Sequence, residues 1–223
     1  MKKKLQFVVI GLGRFGESIA RTLIEQKAEV LVVDQDEEKV NQAISYATHA
    51  IQMDATDEQA LKSLGIRNFD VACVCMGDIQ NSVLISLLCK EQGVPYVLAK
   101  VRSEIHSKLL DKVGVDRAVF PEREMGIRVA HNLLSPGILD FIELSPDYGI
   151  AELDVPELWA NKSIVETDFR KRYGLNIVAI RHDDNDINVN PEPKDIILPG
   201  DTLIVIGSEE QIAKVDDVTS RHK

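Results

Sequence analysis

The chain has 223 residues, 44% hydrophobic and 28% charged, a globular balance that excludes a disordered or fibrous chain. Its formal net charge is −10 and no basic cluster stands outside Lys2–Lys4 and Arg170–Arg172, which speaks against electrostatically driven nucleic-acid binding. The longest apolar runs fall far below the ~20 residues of a membrane span, and three cysteines, few and odd in number, fit a reducing cytoplasm rather than a disulfide framework. The start, MKKKLQFVVIGLG, has a basic head and a short apolar run. That run breaks at Gly11 with no small-residue cleavage site behind it, so a signal peptide is not expected.

In chain order, β-branched or apolar runs predict strands at 5–10, 29–33, 49–52, 70–74, 96–99 and 117–120. Between them lie stretches of helical period. In 14–26, Phe15, Ile19, Leu23 and Ile24 share a face; in 79–92, Val83, Leu84, Leu87 and Leu88 do. Near-continuous apolar strands alternating with helices predict a parallel sheet covered on both faces. Six strands and five intervening helices make an α/β, Rossmann-type doubly wound domain. Pro121 opens a further helix over 122–134, which Ser135, Pro136 and Gly137 stop. Beyond it the texture changes: strands at 150–154, 176–181 and 202–207, helices at 164–173 and 209–215, and turns through 183–199. Residues 1–140 carry a net charge of −2 and residues 141–223 a net of −8, which also marks two units. The expected division is 1–135, a nucleotide-binding domain with a crossover helix, and 140–223, a small α+β domain.

The strongest local signal is Gly11-Leu12-Gly13-Arg14-Phe15-Gly16, directly behind a strand and opening a helix. The first glycine permits the tight turn, the second lets backbone approach a pyrophosphate, and the third lets helix and strand pack closely. The phosphates would sit at the helix N-terminus, among free N–H groups. Asp34 ends the second strand, 18 residues after Gly16, where a carboxylate accepts hydrogen bonds from the adenosine ribose. It speaks against NADP, whose 2′-phosphate it would repel, but does not separate NAD from ATP, ADP or AMP. Arg14 reaches phosphates of its own or a neighbouring subunit, or is a solvated first-turn arginine.

Behind the third strand, Met53-Asp54-Ala55-Thr56 borders the adenine pocket of this architecture; Asp54 meets the adenine amine or N-caps the next helix. Behind the fourth, Met76 and Gly77 bring backbone to the ligand, unless Gly77 is a plain loop glycine. Lys100 and Arg102, with His106 one helical turn on, form a basic rim suited to phosphate or a charged loop with no ligand. Glu122, with Glu124, either complements a helix dipole or faces the nucleotide, touching ribose or a divalent cation. Cys73 and Cys75, and Cys89 on its helical stripe, read as core. No metal-ligand spacing, G-x-S-x-G elbow, H-E-x-x-H or P-loop is present.

These residues, VVIGLGRFGESIARTL, VVDQDEEKV, YATHAIQMDATDEQALKSLGIRNFD and AVFPEREMGIRVA, resemble the cytoplasmic subunits of Ktr/Trk-type potassium uptake systems. IVETDFRKRYGLNIVAIRHD and DIILPGDTLIVIGSEEQI resemble the smaller C-terminal domain of the same family, whose modules are called RCK domains. The resemblance implies a non-enzymatic regulator in which dimers assemble to an octameric ring beneath a membrane-embedded potassium-translocating subunit. It implies ATP, ADP or NAD(H) in the first domain, with Arg14 reaching terminal phosphates across the dimer and Glu122 associated with a divalent cation. It implies cyclic di-AMP at a C-terminal dimer interface, with Arg170, Asn176 and Ile177 in the matching segment. The implied place is the cytoplasm, held to the inner face of the membrane by the partner subunit. Two rivals stand beside this reading. One is a small NAD-dependent oxidoreductase, with a proton donor near His106 or Lys100. The other is a redox-sensing DNA-binding repressor, which the acidic second unit opposes.

Overall fold

The computed structural model describes residues 4–134, 138–145, 147–184 and 186–220, with only the backbone of His131 and of 216–220. The chain divides into two compact units, Met1–Glu122 and Arg123–Lys223.

The first unit runs β1 (Gln6–Ile10), α1 (Arg14–Glu25), β2 (Glu29–Asp34), α2 (Glu37–Ala43), β3 (His49–Gln52), α3 (Glu58–Leu64), β4 (Val71–Val74), α4 (Ile79–Glu91), β5 (Tyr96–Lys100), α5 (Glu104–Val113) and β6 (Arg117–Val119). Its six strands are parallel in the order β3-β2-β1-β4-β5-β6, which reverses direction beside β1. The doubly wound fold expected from the alternation is the one observed. Alternate side chains explain why both faces are buried. Val8, Ile10, Val33 and Val74 pack under α3, α4 and α5 through Leu61, Ile85, Cys89 and Leu110. Val9, Val32 and Cys73 pack on the other side under α1 and α2 through Ala20 and Ala43, with Phe15, Ile19, Leu23 and Ile24 lining the edge.

One helix face differs from expectation. The buried side of α4 is Ser82, Ile85, Ser86, Leu88 and Cys89, while Leu84 and Leu87 are exposed. Val83, Leu84, Ile85, Leu87 and Leu88 spread apolar side chains around the helix, so periodicity did not select a face; small serines and a cysteine go inward where α4 packs close to its neighbours.

The second unit contains α6 (Pro121–Leu134), which starts at the unit boundary, then β7 (Ile138–Ser145), β8 (Tyr148–Asp154), β9 (Lys162–Ser163), α7 (Ile164–Thr167), α8 (Phe169–Tyr173), β10 (Asn176–Arg181), β11 (Ile187–Asn188), β12 (Ile196–Ile197), β13 (Thr202–Ser208) and α9 (Glu209–Ser220). The expected stop at 135–137 lies outside the described residues. Five strands form an antiparallel sheet in the order β11-β10-β13-β8-β7, and β9 pairs with β12 separately. Its inner face, Ala151, Leu153, Leu203 and Val205, packs against Phe169 of α8 and Ile212 and Val215 of α9. Trp159, Phe169 and Tyr173 meet edge-on or tilted at centroid distances of 5.0–5.6 Å.

The expected helix 164–173 is two helices. Asp168 breaks it with φ of 49°, a left-handed conformation that aspartate tolerates better than most residues. Ser163 and Glu166 form a capping box at its start. The stretch 183–199, expected as turns, also contributes two-residue strands β11 and β12.

Candidate functional site

The carboxyl ends of β1, β2, β3 and β4 converge on a narrow cleft lined by Gly11, Asp34, Gln35, Met53, Asp54, Ala55, Thr56, Met76 and Asn81, with Ile10, Val33 and Ile85 as its floor. This is the crevice beside the point where strand order reverses, the usual ligand position in open α/β sheets. A larger hollow of about 650 Å³ lies at the opposite ends of β1 and β2, against the edge strand β3, among Gln6, Glu29, His49 and Phe69. It holds none of the candidate residues.

The glycine loop is shaped by contact distances. Gly11 has φ of 96°, and a Cβ there would lie 2.9 Å from the Cys75 carbonyl oxygen. A Cβ on Gly16 would lie 2.0 Å from the Gly11 carbonyl oxygen, so helix and turn touch backbone to backbone. Gly13 is different: among the described residues nothing lies within 4 Å of its absent Cβ. It is also the N-cap of α1 and gives no side-chain cap, so the first-turn N–H groups face the open side of the loop. Leu12 is buried and Phe15 half-buried in the core, so these two anchor the loop while the glycines shape it. Arg14 is exposed, and its side chain makes no ion pair or hydrogen bond with any described residue.

Asp34 is 8% exposed. Its Oδ2 accepts the Leu12 N–H at 2.6 Å and its Oδ1 the Asp36 N–H at 2.9 Å, which ties the end of β2 to the glycine loop. Asp54 is exposed and accepts both the N–H and the hydroxyl of Thr56; the hydroxyl bond is the main reason its carboxyl lies below the usual range. It does not N-cap α3, one of its two expected roles: that cap is Asp57, which accepts from the N–H groups of Gln59 and Ala60. Ala55 is buried beneath it.

The rim residues partner one another. Lys100 Nζ donates to Glu122 Oε1 at 2.5 Å, and that bond is the first cause of the lowered Glu122 pKa. Arg102 donates to the Gly77 carbonyl at 2.8 Å, joining the ends of β4 and β5. His106 does not stand with them. It is 1% exposed, neither ring nitrogen has a partner among the described residues, and burial pushes its pKa down. A metal ion at Glu122 does not fit this chain by itself: Lys100 already compensates the carboxylate, and among the described residues no three His, Cys, Asp or Glu side chains are placed to hold an ion. Burial raises the Cys73 thiol to about 11 and the Cys89 thiol to about 12, and raises Cys75 further. All three are inert core groups.

Asn81 and Gln35 line the cleft without having been singled out by the sequence, whereas Thr56 lies in the turn expected to border the adenine pocket. Asn81 carries no sequence signal, because only the packing of the α4 start against the cleft reveals it. In the second unit, Arg170 and Asn176 are exposed and Ile177 is half-buried, at the corner where α8 turns into β10.

A Rossmann-type domain with a glycine turn that carries no side-chain cap, followed by a small antiparallel domain, defines a class of two-domain α/β proteins. The comparisons narrow it. The TrkA-N domain model matches residues 7–121 and the TrkA-C domain model residues 150–219. The chain is 44% identical over 216 residues to Ktr system potassium uptake protein A of Bacillus subtilis, covering 96% of this chain and 97% of that protein. It is 43% identical over 214 residues to Ktr system potassium uptake protein C of the same organism, covering 96% of each. The chain therefore belongs to the family of Ktr potassium uptake proteins built from TrkA-N and TrkA-C domains. Among solved structures, the GsuK channel bound to NAD superposes with a TM-score of 0.53 at 27% identity, over 99% of this chain and 39% of that one. The chain thus spans well under half the length of that channel. Among the described residues no helix is long and apolar enough to cross a membrane.

Proposed function

We propose that this chain is a nucleotide-sensing, non-catalytic subunit that regulates a potassium transporter from the cytoplasmic side. The observation that carries the reading is the uncapped N-terminus of α1, open in front of Gly13 and set beside Asp34, in a chain matching Ktr proteins over nearly its whole length. The loop N–H groups suit a pyrophosphate, the Asp34 carboxylate suits a ribose, and the half-buried Met53 and Met76 offer apolar surface to a base. ATP, ADP or NAD(H) fits this set, and NAD on the GsuK channel supports it.

The exposure of Arg14 at the loop supports a role in meeting phosphates bound by a neighbouring protomer. A triphosphate brings charge that arginines from two protomers can compensate; a diphosphate leaves them less engaged. Differential affinity of this kind is what shifts a two-state assembly. The assembly proposed is an octameric ring of dimers against a membrane-embedded potassium-translocating subunit. The exposed Met125, Ile127 and Leu133 of α6 support burial against another chain. At the second unit, the α8–β10 corner with Arg170, Asn176 and Ile177 is proposed to bind cyclic di-AMP between two copies, where paired guanidinium groups match two phosphates.

Native mass spectrometry with and without ATP, ADP and NAD tests the reading. A large ring that retains adenine nucleotide is the expected result. A dimer that holds NAD tightly and transfers hydride would establish the oxidoreductase instead.

A further inference from the structure

Lys39 lies beside Asp34 at the end of β2. The Lys39 ammonium is 3.5 Å from Asp34 Oδ2 and 3.9 Å from Asp36 Oδ2, with its side chain 42% exposed. The Asp34 carboxylate is fixed by two backbone N–H groups, from Leu12 and Asp36, one on each oxygen. Each oxygen keeps acceptor capacity for a ribose hydroxyl. Among the described residues the lysine hydrogen-bonds to no backbone group, and it is 42% exposed beside a nearly buried acid. Asp36, the other carboxylate beside it, is committed to the N-cap of α2 by accepting the Glu38 N–H.

A lone carboxylate at the end of the second strand selects a 2′-hydroxyl; a cation beside that position accommodates a 2′-phosphate. This chain places both there. We propose that Lys39 is a specificity-determining residue whose ammonium offsets Asp34, so that the cleft admits 2′-phosphorylated adenosine nucleotides as well as unphosphorylated ones. The proposal rests on the reading of Asp34 as the ribose acceptor, and it departs from the expectation that Asp34 alone excludes NADP. Asp36, Glu37 and Glu38 oppose a second phosphate. Selectivity is therefore set by the balance between the Lys39 ammonium and these three carboxylates.

The test is titration of the full chain with NADH and NADPH, which differ by the 2′-phosphate alone, followed by nicotinamide fluorescence. Wild type, Lys39→Gln and Lys39→Arg are compared, each checked for unchanged circular dichroism. Wild type should bind both, with affinities within about tenfold. Lys39→Gln should widen the NADPH-to-NADH ratio by about fivefold, the scale of a half-exposed ion pair, with NADH nearly unaffected. Lys39→Arg should keep the wild-type ratio. The proposal is overturned if wild type binds NADH but not NADPH, if the ratio stays constant in Lys39→Gln, or if that variant loses both ligands equally, which would make Lys39 a support for Asp34 only. Failure of wild type to bind NADH, ADP and ATP alike would remove the ribose reading of Asp34, and this proposal with it.

Discussion

The two units of this chain bury their sheets in opposite ways. In β1 and β2 successive residues are all buried, Val8 to Ile10 and Val30 to Asp34, because helices cover both faces. In β8 burial alternates residue by residue, because the helices α8 and α9 pack on one face only. The sheet sealed on both sides presents its chemistry at one place, the carboxyl edge, where loops shaped by glycines and Asp34 meet. The sheet with an open face still shows Ile142 and Tyr148 more than half exposed. One unit is built around a cleft and the other around a surface, which suits a ligand site in the first and an assembly contact in the second.

The largest expected effect breaks the second unit alone. Phe169 is 2% exposed and packs on both Trp159 and Tyr173. Phe169→Ala should lower stability by about 3–5 kcal/mol. Trp159 is the chain's single tryptophan and lies in this unit, so its fluorescence during urea unfolding reads the loss directly. Unchanged fluorescence midpoint would contradict the packing described.

Next in size is Gly16→Ala, which forces a methyl into the Gly11 carbonyl oxygen. Overpacking of this kind costs about 1–3 kcal/mol. Circular dichroism, which sees both units, should show an earlier transition, while the Trp159 transition should move less. Equal displacement of both signals would mean that the units unfold together.

The smallest effect concerns pH. His182 Nδ1 lies 2.9 Å from Asp201 Oδ1, and Asp201 is 2% exposed. That bond, the leading cause, raises the His182 pKa above its ordinary 6.5, with Asp184 and Asp186 adding to it. A raised folded-state value means that the contribution is complete below about pH 6.5 and is lost as pH rises through the folded value. His182→Gln should remove this slope, worth less than about 1 kcal/mol, from melting curves taken between pH 6 and 8. A wild-type slope that survives in the variant would assign it to other groups.

Much of the first unit was legible because each signal there is local and repeated. The six strand runs lie within a residue or two of β1–β6, and the glycine turn fell between a strand and a helix as its spacing required. What sequence could not supply was partnership. Lys100 and Arg102 read as cations awaiting phosphate, yet one faces Glu122 and the other a carbonyl, contacts that depend on β5 lying between β4 and β6. His106 read as a rim residue because it lies one turn past Arg102, but that turn carries it inward. In the second unit, β7 escaped notice for a physical reason. Register shifts between Ile138 and Asp140 put the buried residues Ile138 and Phe141 three apart, which hides the period of two. The two-residue strands β9 and β12 are equally silent, since pairing across 162–197 rather than local pattern creates them.

The central claim is that the cleft between the glycine turn and Asp34 binds an adenosine nucleotide. Calorimetry of the full chain with ATP, ADP and NAD, in wild type and Asp34→Ala, tests it most directly. The account predicts saturable binding in wild type. It also predicts an affinity about 10- to 150-fold lower for every adenosine ligand in the variant, the scale of a lost hydrogen bond to a charged group. Unchanged affinity for both ATP and NAD in Asp34→Ala, or no binding of any of the three to wild type, would contradict it.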